Sequence, residues 1–255
     1  MNRPPGVAWI IGGGSGIGAA LARQLAGEGW TVAISGRRED ALDAVSRMAT
    51  GIHPYPLDAT LTERVTETAE RIASDLGRID LMVYAAAAWQ PMKVGDYDFQ
   101  KFFRIVDTNY LGAVRAIEAA TGIMRRQGGG EIALVASIAG YVGLPRAAAY
   151  GSTKAALIHL AQTLRTELAP ENISVRLVNP GFVSTDLTAK NDFPMPFLMD
   201  AEEAARRIAH GLLHTARFEI AFPWQMVMAL KLLRVLPYWL FFRLMARLIP
   251  QGAGR

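Results

Sequence analysis

The chain has 255 residues, 51% of them hydrophobic and 20% charged, a globular composition long enough to bury a full core. It contains no cysteine, which excludes a disulfide framework, a thiolate metal site and a cysteine nucleophile. The net charge of +4 lies in the tail, where Lys231, Arg234, Arg243, Arg247 and Arg255 have no Asp or Glu among them from Ala221 onward, so no nucleic-acid groove is expected.

The opening MNRPPGVAWII has an apolar run too short for a signal-peptide core and reads as a first strand, so a cytoplasmic location is expected. VAWII is followed by the helical period of IGAALARQLAGEG, TVAIS by EDALDAVSRMA, and IHPYP by LTERVTETAERIASDL. DLMVYA, a long helical stretch through Ile105 to Arg126, EIALVAS, a helix from Tyr150 to Leu168, ISVRLVN and FEIAF complete the series. Apolar strands alternating with helices predict an α/β fold: a doubly wound, Rossmann-like parallel sheet with helices on both faces. No linker or internal repeat interrupts it. Residues 1–222 are therefore expected to form one doubly wound, Rossmann-type domain, and 223–255 an amphipathic helical extension of that same domain.

Directly after the first strand, IGGGSGIG places Gly12, Gly16 and Gly18 at the opening of a helix, with Gly14, Ser15 and Ile17 in the same loop. Glycines there let the chain turn sharply and the backbone approach a pyrophosphate held at the helix N-terminus. The second strand ends in ISGRRED, with Ser35 and Gly36 where an acid would bond ribose hydroxyls, followed by Arg37 and Arg38. Two cations at a helix start oppose the helix dipole and favour a phosphate partner, so NADP(H) is preferred and NAD(H) is the alternative.

AAYGSTKAAL puts Tyr150 and Lys154 four residues apart on one helical face. Ser137 ends the strand IALVAS, and Asn109 lies in DTNYLGA. Together with the glycine loop, Asp58 in PLDAT and Asn179-Pro180-Gly181, these residues resemble in order and spacing the short-chain dehydrogenase/reductase family over about residues 6 to 221.

The resemblance implies an oxidoreductase acting on CH-OH groups, with hydride supplied by a nicotinamide cofactor. Tyr150 would exchange a proton with the reacting oxygen, Ser137 would hydrogen-bond that oxygen, and Lys154 would lower the tyrosine pKa and hold the ribose. Asn109 would fix a water next to Lys154. Asp58 would contact the adenine, Ala85 and Ala86 the cofactor, and Pro180, Val183 and Thr185 its nicotinamide end. Each of three residues also has a plainer reading: Asp58 as a loop cap, Thr185 as a helix cap, Asn109 as a polar helix residue.

The sequence departs from the family at two linked places. Ile11 stands for a threonine, and Tyr84-Ala85-Ala86-Ala87 for Asn-Asn-Ala-Gly. Both partners of one polar tie are replaced, which leaves no group unpaired, so a local apolar repacking is expected. Alanine also reaches positive φ less easily than glycine, which bears on how this segment meets the cofactor.

The segments that build the family's substrate pocket contain Trp89 and Met92, then Tyr141 and Leu144, then Phe193 and Phe197. An apolar pocket suits a hydrophobic ketone or secondary alcohol. Two other readings stay open: an idle dinucleotide-binding sensor or scaffold, and a non-redox lyase or epimerase. No metal is expected, because His210 and His214 have no third ligand. The family implies a homo-oligomer, dimer or tetramer, joined through the helices carrying Asn109 and Tyr150.

Residues 230 to 250 read LKLLRVLPYWLFFRLMARLIP, which Pro237 breaks before any uncharged run is long enough to span a bilayer. Two basic-edged amphipathic helices are expected instead. They fit peripheral contact with an anionic membrane surface, or packing over the lid or a second subunit.

Overall fold

The computed structural model describes residues 4–92, 95 and 97–248. Seven strands, β1 (Val7–Ile11), β2 (Thr31–Gly36), β3 (Ile52–Pro56), β4 (Leu81–Tyr84), β5 (Gly130–Val135), β6 (Ile173–Pro180) and β7 (Glu219–Phe222), form one sheet in the order β3-β2-β1-β4-β5-β6-β7. Every pairing is parallel. Parallel neighbours need crossovers, which cover both faces with helices: α1 (Gly16–Gly27), α2 (Glu39–Ser46), α3 (Thr62–Leu76), α4 (Phe99–Val106), α5 (Gly112–Gln127), α6 (Ala148–Glu167) and α7 (Ala201–His214). The winding reverses between β1 and β4, so a crevice opens at their carboxyl ends.

All five residues of β1 are buried, which is why VAWII shows no polar alternation. Trp9 and Ile11 join the core on one face of the sheet, Ala8 and Ile10 the core on the other. A buried indole needs an acceptor, and Trp9 Nε1 donates to Ser35 Oγ at 3.0 Å. The hydroxyl at the end of β2 is thus engaged beneath the sheet rim.

The helical stretch expected through Ile105 to Arg126 is continuous but changes its winding midway. Asp107–Leu111 form a π-helical turn between α4 and α5, an irregularity frequent at functional sites. Its Thr108 carbonyl accepts the Tyr84 hydroxyl at 2.5 Å. Gly112 leaves room for that phenol, since a Cβ there would overlap the hydroxyl oxygen. The expectation of a purely apolar repacking is therefore corrected: the tyrosine makes a new polar tie to a different anchor. Burial pushes its pKa well above the ordinary value, which keeps the donor protonated. Ala85, Ala86 and Ala87 all lie at negative φ, so the cost foreseen for alanine does not arise.

Tyr84→Phe should destabilise the fold by about 0.5 to 1.5 kcal/mol, because it removes the hydrogen bond between a buried phenol and the part-buried Thr108 carbonyl. Thermal or urea unfolding measures this. Unchanged stability would mean that the Thr108 carbonyl is satisfied without the phenol.

Beyond β7, α8 (Trp224–Arg234) and α9 (Tyr238–Met245) form the two tail helices, divided at Pro237. Val227 and Leu230 of α8 are buried against the main core. Lys231 is ion-paired with Glu219, whose other oxygen accepts the Tyr141 hydroxyl at 2.5 Å and Asn179 Nδ2 at 2.7 Å. Among the described residues, no helix is long and apolar enough to cross a membrane. Arg255 and the rest of 249–255 lie outside the described residues.

Candidate active site

At the switch point the loop after β1 meets the loop after β4. Gly12 has φ +94°, and a Cβ there would come within 2.5 Å of Ala86 N, so only glycine allows this approach. Ser15 stands at the N-cap of α1 without a capping side-chain hydrogen bond, and the first turn holds no acid. The first-turn N–H groups therefore remain available to an anion.

A cleft of about 550 Å³ runs from this loop along the carboxyl ends of β1, β4, β5 and β6, within the usual range for small-molecule sites. The glycine loop (Gly12, Gly14, Ser15, Gly16, Ile17, Gly18), Arg37, Arg38, Asp58, Ala85, Ala86, Trp89, Ser137, Tyr150, Lys154, Pro180, Val183 and Thr185 all line it. Asp58 also caps its own turn, accepting the N–H and hydroxyl of Thr60 at 3.0 and 2.8 Å. Ala88, Leu187 and Thr188 line the cleft as well and were not foreseen, because nothing in their identity marks them.

Asn109 stands behind the cleft wall, fully buried in the π-helical turn. Its Oδ1 accepts the Ala88 N–H at 2.6 Å, and its Nδ2 donates to the Ala88 carbonyl at 3.0 Å and to Thr153 Oγ1 at 3.2 Å. The side-chain amide thus clamps the loop after β4 to α6.

Five residues expected around the substrate do not line this cleft. Met92 is buried with Ile105 and Ala149, and Leu144 packs on the main core. Tyr141 is buried, with its hydroxyl on Glu219. Phe193 packs edge-on against Phe182 and beneath the Arg146 guanidinium. Phe197 is 53% exposed at φ +56°. Loop residues of this kind turn inward or outward according to backbone conformation, which apolarity alone does not encode. Two ties fasten the segment after β6 over the cleft: Trp89 Nε1 donates to Asn191 Oδ1 at 2.8 Å, and Arg146 forks onto Asp192 at 2.7 and 3.1 Å.

Around Tyr150 the chemistry is set by burial. The ring meets Trp89 edge-on at 5.1 Å, and Lys154 Nζ lies 5.4 Å from the ring centroid while donating to the Val135 carbonyl at 2.8 Å. Burial raises the Tyr150 pKa to about 12, opposed by a hydrogen bond with Ser137. Burial lowers Lys154 to about 7. Among the chain's own groups, desolvation therefore outweighs any lowering of the tyrosine by the lysine. Negative charge brought into the cleft would raise the lysine again.

A larger hollow of about 850 Å³ lies at the opposite end of the sheet, lined by Arg78, Asp80, Glu131 and Arg176 among others. These four charges form the pairs Arg78–Asp80 and Arg176–Glu131. In open α/β sheets ligands bind outside the carboxyl ends of the strands, which is where the smaller cleft lies.

Residues 6–194 match the family model of the short chain dehydrogenases. An uncharacterized oxidoreductase of Myxococcus xanthus is 34% identical over 238 residues, spanning 92% of this chain and 94% of that one. A short chain dehydrogenase from Burkholderia cenocepacia, solved in complex with NADP, superposes with a TM-score of 0.84 at 25% identity, covering 96% of this chain and 99% of that one. A short-chain type dehydrogenase/reductase from Mycobacterium ulcerans gives a TM-score of 0.80 at 27% identity, covering 89% and 92%. With 189 residues under one family model and a sheet of matching topology, the chain belongs to the short-chain dehydrogenases and is an oxidoreductase that works with a nicotinamide cofactor.

Proposed function

We propose that the protein is an NADP(H)-dependent oxidoreductase that interconverts an apolar ketone and its secondary alcohol. The cofactor preference rests on Arg37 and Arg38, which line the cleft beyond β2 and have no carboxylate partner among the described residues. The neighbouring Ser35 hydroxyl is taken by Trp9, and no acid stands there to bond ribose hydroxyls. The NADP complex of the Burkholderia relative supports the same reading.

In this reading the residues fit the cofactor along the length of the cleft. The N–H groups opening α1 would hold the pyrophosphate, Arg37 and Arg38 the 2′-phosphate, and Asp58 the adenine. Ala85 and Ala86 would flank it, Lys154 would bond the ribose, and Pro180, Val183 and Thr185 would hold the nicotinamide end. When bound, this group supplies or accepts the hydride. Tyr150 gives its phenolic proton to the carbonyl oxygen in reduction and recovers it in oxidation, while Ser137 hydrogen-bonds the same oxygen. Lys154 in its charged form stabilises the tyrosinate left behind. Asn109 acts by holding the Ala88 loop and α6 in register.

The substrate end offers Trp89, Ala88 and Leu187, and Arg146, the cation over that segment, is committed to Asp192. Among the described residues that leaves no clamp for a carboxylate or phosphate at this end of the cleft, which favours an apolar carbonyl compound. A second copy would pair through the helices carrying Asn109 and Tyr150, next to which Phe99, Phe103 and Val114 are exposed.

Substituting both arginines, Arg37→Ala with Arg38→Ala, should raise KM for NADPH by roughly 10- to 100-fold, the scale of charge-assisted hydrogen bonds, and leave KM for NADH nearly unchanged. Equal losses with both cofactors would remove the preference proposed here.

A further inference from the structure

The tail helices are apolar on two faces. One face is spent on the fold: Val227, Leu230 and Met245 are buried, and Met226 and Leu233 pack against the core. The other face presents Trp224, Leu232, Val235, Tyr238, Trp239 and Phe242, each 62 to 79% exposed. Isolated exposed apolar residues are ordinary, whereas a contiguous band on two successive helices marks a surface with a partner.

Charge indicates which partner. Lys231 turns back to Glu219 and over the Tyr141 ring, leaving Arg234 and Arg243 exposed in the same helices and Arg247 exposed in the short turn that follows α9. No acid occurs from Ala221 onward to neutralise them. A two-fold pairing of this face with itself would set like charges together without a counter-charge. An anionic lipid surface supplies that counter-charge, and tryptophan and tyrosine settle at its headgroup level.

The geometry points to the outward face of α8 and α9 as an interfacial docking surface for an anionic membrane, with the helices lying in its plane. Helices of 11 and 8 residues reach only about 16 and 12 Å, well short of a bilayer's hydrocarbon thickness. The root of α8 is firmly placed, since Pro223 packs against Gly181 beside the cleft and Lys231 anchors to β7. Docking through this face would therefore hold the cleft wall close to the lipid.

The test is flotation of the full chain with vesicles of phosphatidylcholine alone and with about a third phosphatidylglycerol. The expected result is flotation with the anionic vesicles only, weakened by salt. Arg234→Ser with Arg243→Ser should raise the lipid concentration for half-binding about 25-fold, roughly fivefold for each arginine. Trp239→Ser with Phe242→Ser should abolish binding while the unfolding transition stays in place. Absence of flotation with anionic vesicles, or flotation that ignores these substitutions, overturns the proposal. So does an oligomer, seen by sedimentation without lipid, that Trp239→Ser with Phe242→Ser dissociates, because the face would then belong to a second copy. None of these readouts depends on catalytic activity or on the identity of the substrate.

Discussion

Tyr150→Phe is expected to lower kcat/KM for NADPH-dependent ketone reduction by about 10²- to 10⁴-fold, the usual contribution of a positioned general acid. The substitution keeps the ring, and with it the edge-on contact to Trp89, and deletes the one O–H of the cleft whose pKa suits a donor. With that pKa near 12, the phenol remains protonated throughout the neutral range, as proton donation to a carbonyl requires. Ser137 cannot stand in for it, since the pKa of an alcohol is far too high for it to release a proton. NADPH affinity, measured by fluorescence titration, should change little. Full activity in the variant would assign the proton to another group and end this mechanism.

The second large effect concerns Lys154 and stability. The folded state lowers its pKa to about 7, whereas the unfolded lysine titrates near 10.5. Between those values the unfolded chain binds one more proton than the folded chain, so stability rises with pH through this window and is reduced below it. The tyrosines with raised values, Tyr55, Tyr84, Tyr141 and Tyr150, have an unfolded value of 10.0 and so begin to titrate in the unfolded chain at about pH 9, where they lower stability as pH rises. The shifted carboxylates, Asp98, Glu171, Glu203 and Glu219, act below pH 4.5. From pH 7 to 9 the lysine therefore stands apart among the shifted groups, and the gain is on the order of 2 kcal/mol. Urea unfolding across this range should show the rise in the parent chain and lose it in Lys154→Met, which fills the same space without a charge. Parallel slopes in the two proteins would show that the lysine is not desolvated in the folded state.

Much of the fold was legible because parallel strands buried on both faces produce uninterrupted apolar runs. VAWII, IALV and ISVRLVN each mark a strand for that reason, and the glycine loop marks where the first strand turns into α1. The tail was legible in outline, since Pro237 divides two helices whichever face they bury. What escaped was long-range and side-chain specific. No local pattern shows that Asp107–Leu111 winds as a π-helix or that Tyr84 reaches its Thr108 carbonyl, because that bond joins residues 24 apart in sequence. Tyr141 looked like a pocket residue because it follows the strand carrying Ser137, but Glu219, 78 residues later, takes its hydroxyl. The tail read as amphipathic, whereas both its faces carry apolar groups, a distinction that depends on which face the core takes up.

The central claim is hydride exchange between NADPH and an apolar carbonyl in the cleft of Tyr150, Lys154 and Ser137. The most direct measurement mixes the full chain with NADPH and a panel of cyclic, long-chain and small polar ketones, following the near-ultraviolet absorbance of the reduced cofactor and the alcohol formed. The account expects cofactor oxidation matched one for one by alcohol from the cyclic or long-chain ketones, faster with NADPH than with NADH. Turnover confined to small polar ketones, a preference for NADH, or binding of NADPH with no oxidation by any ketone would contradict it.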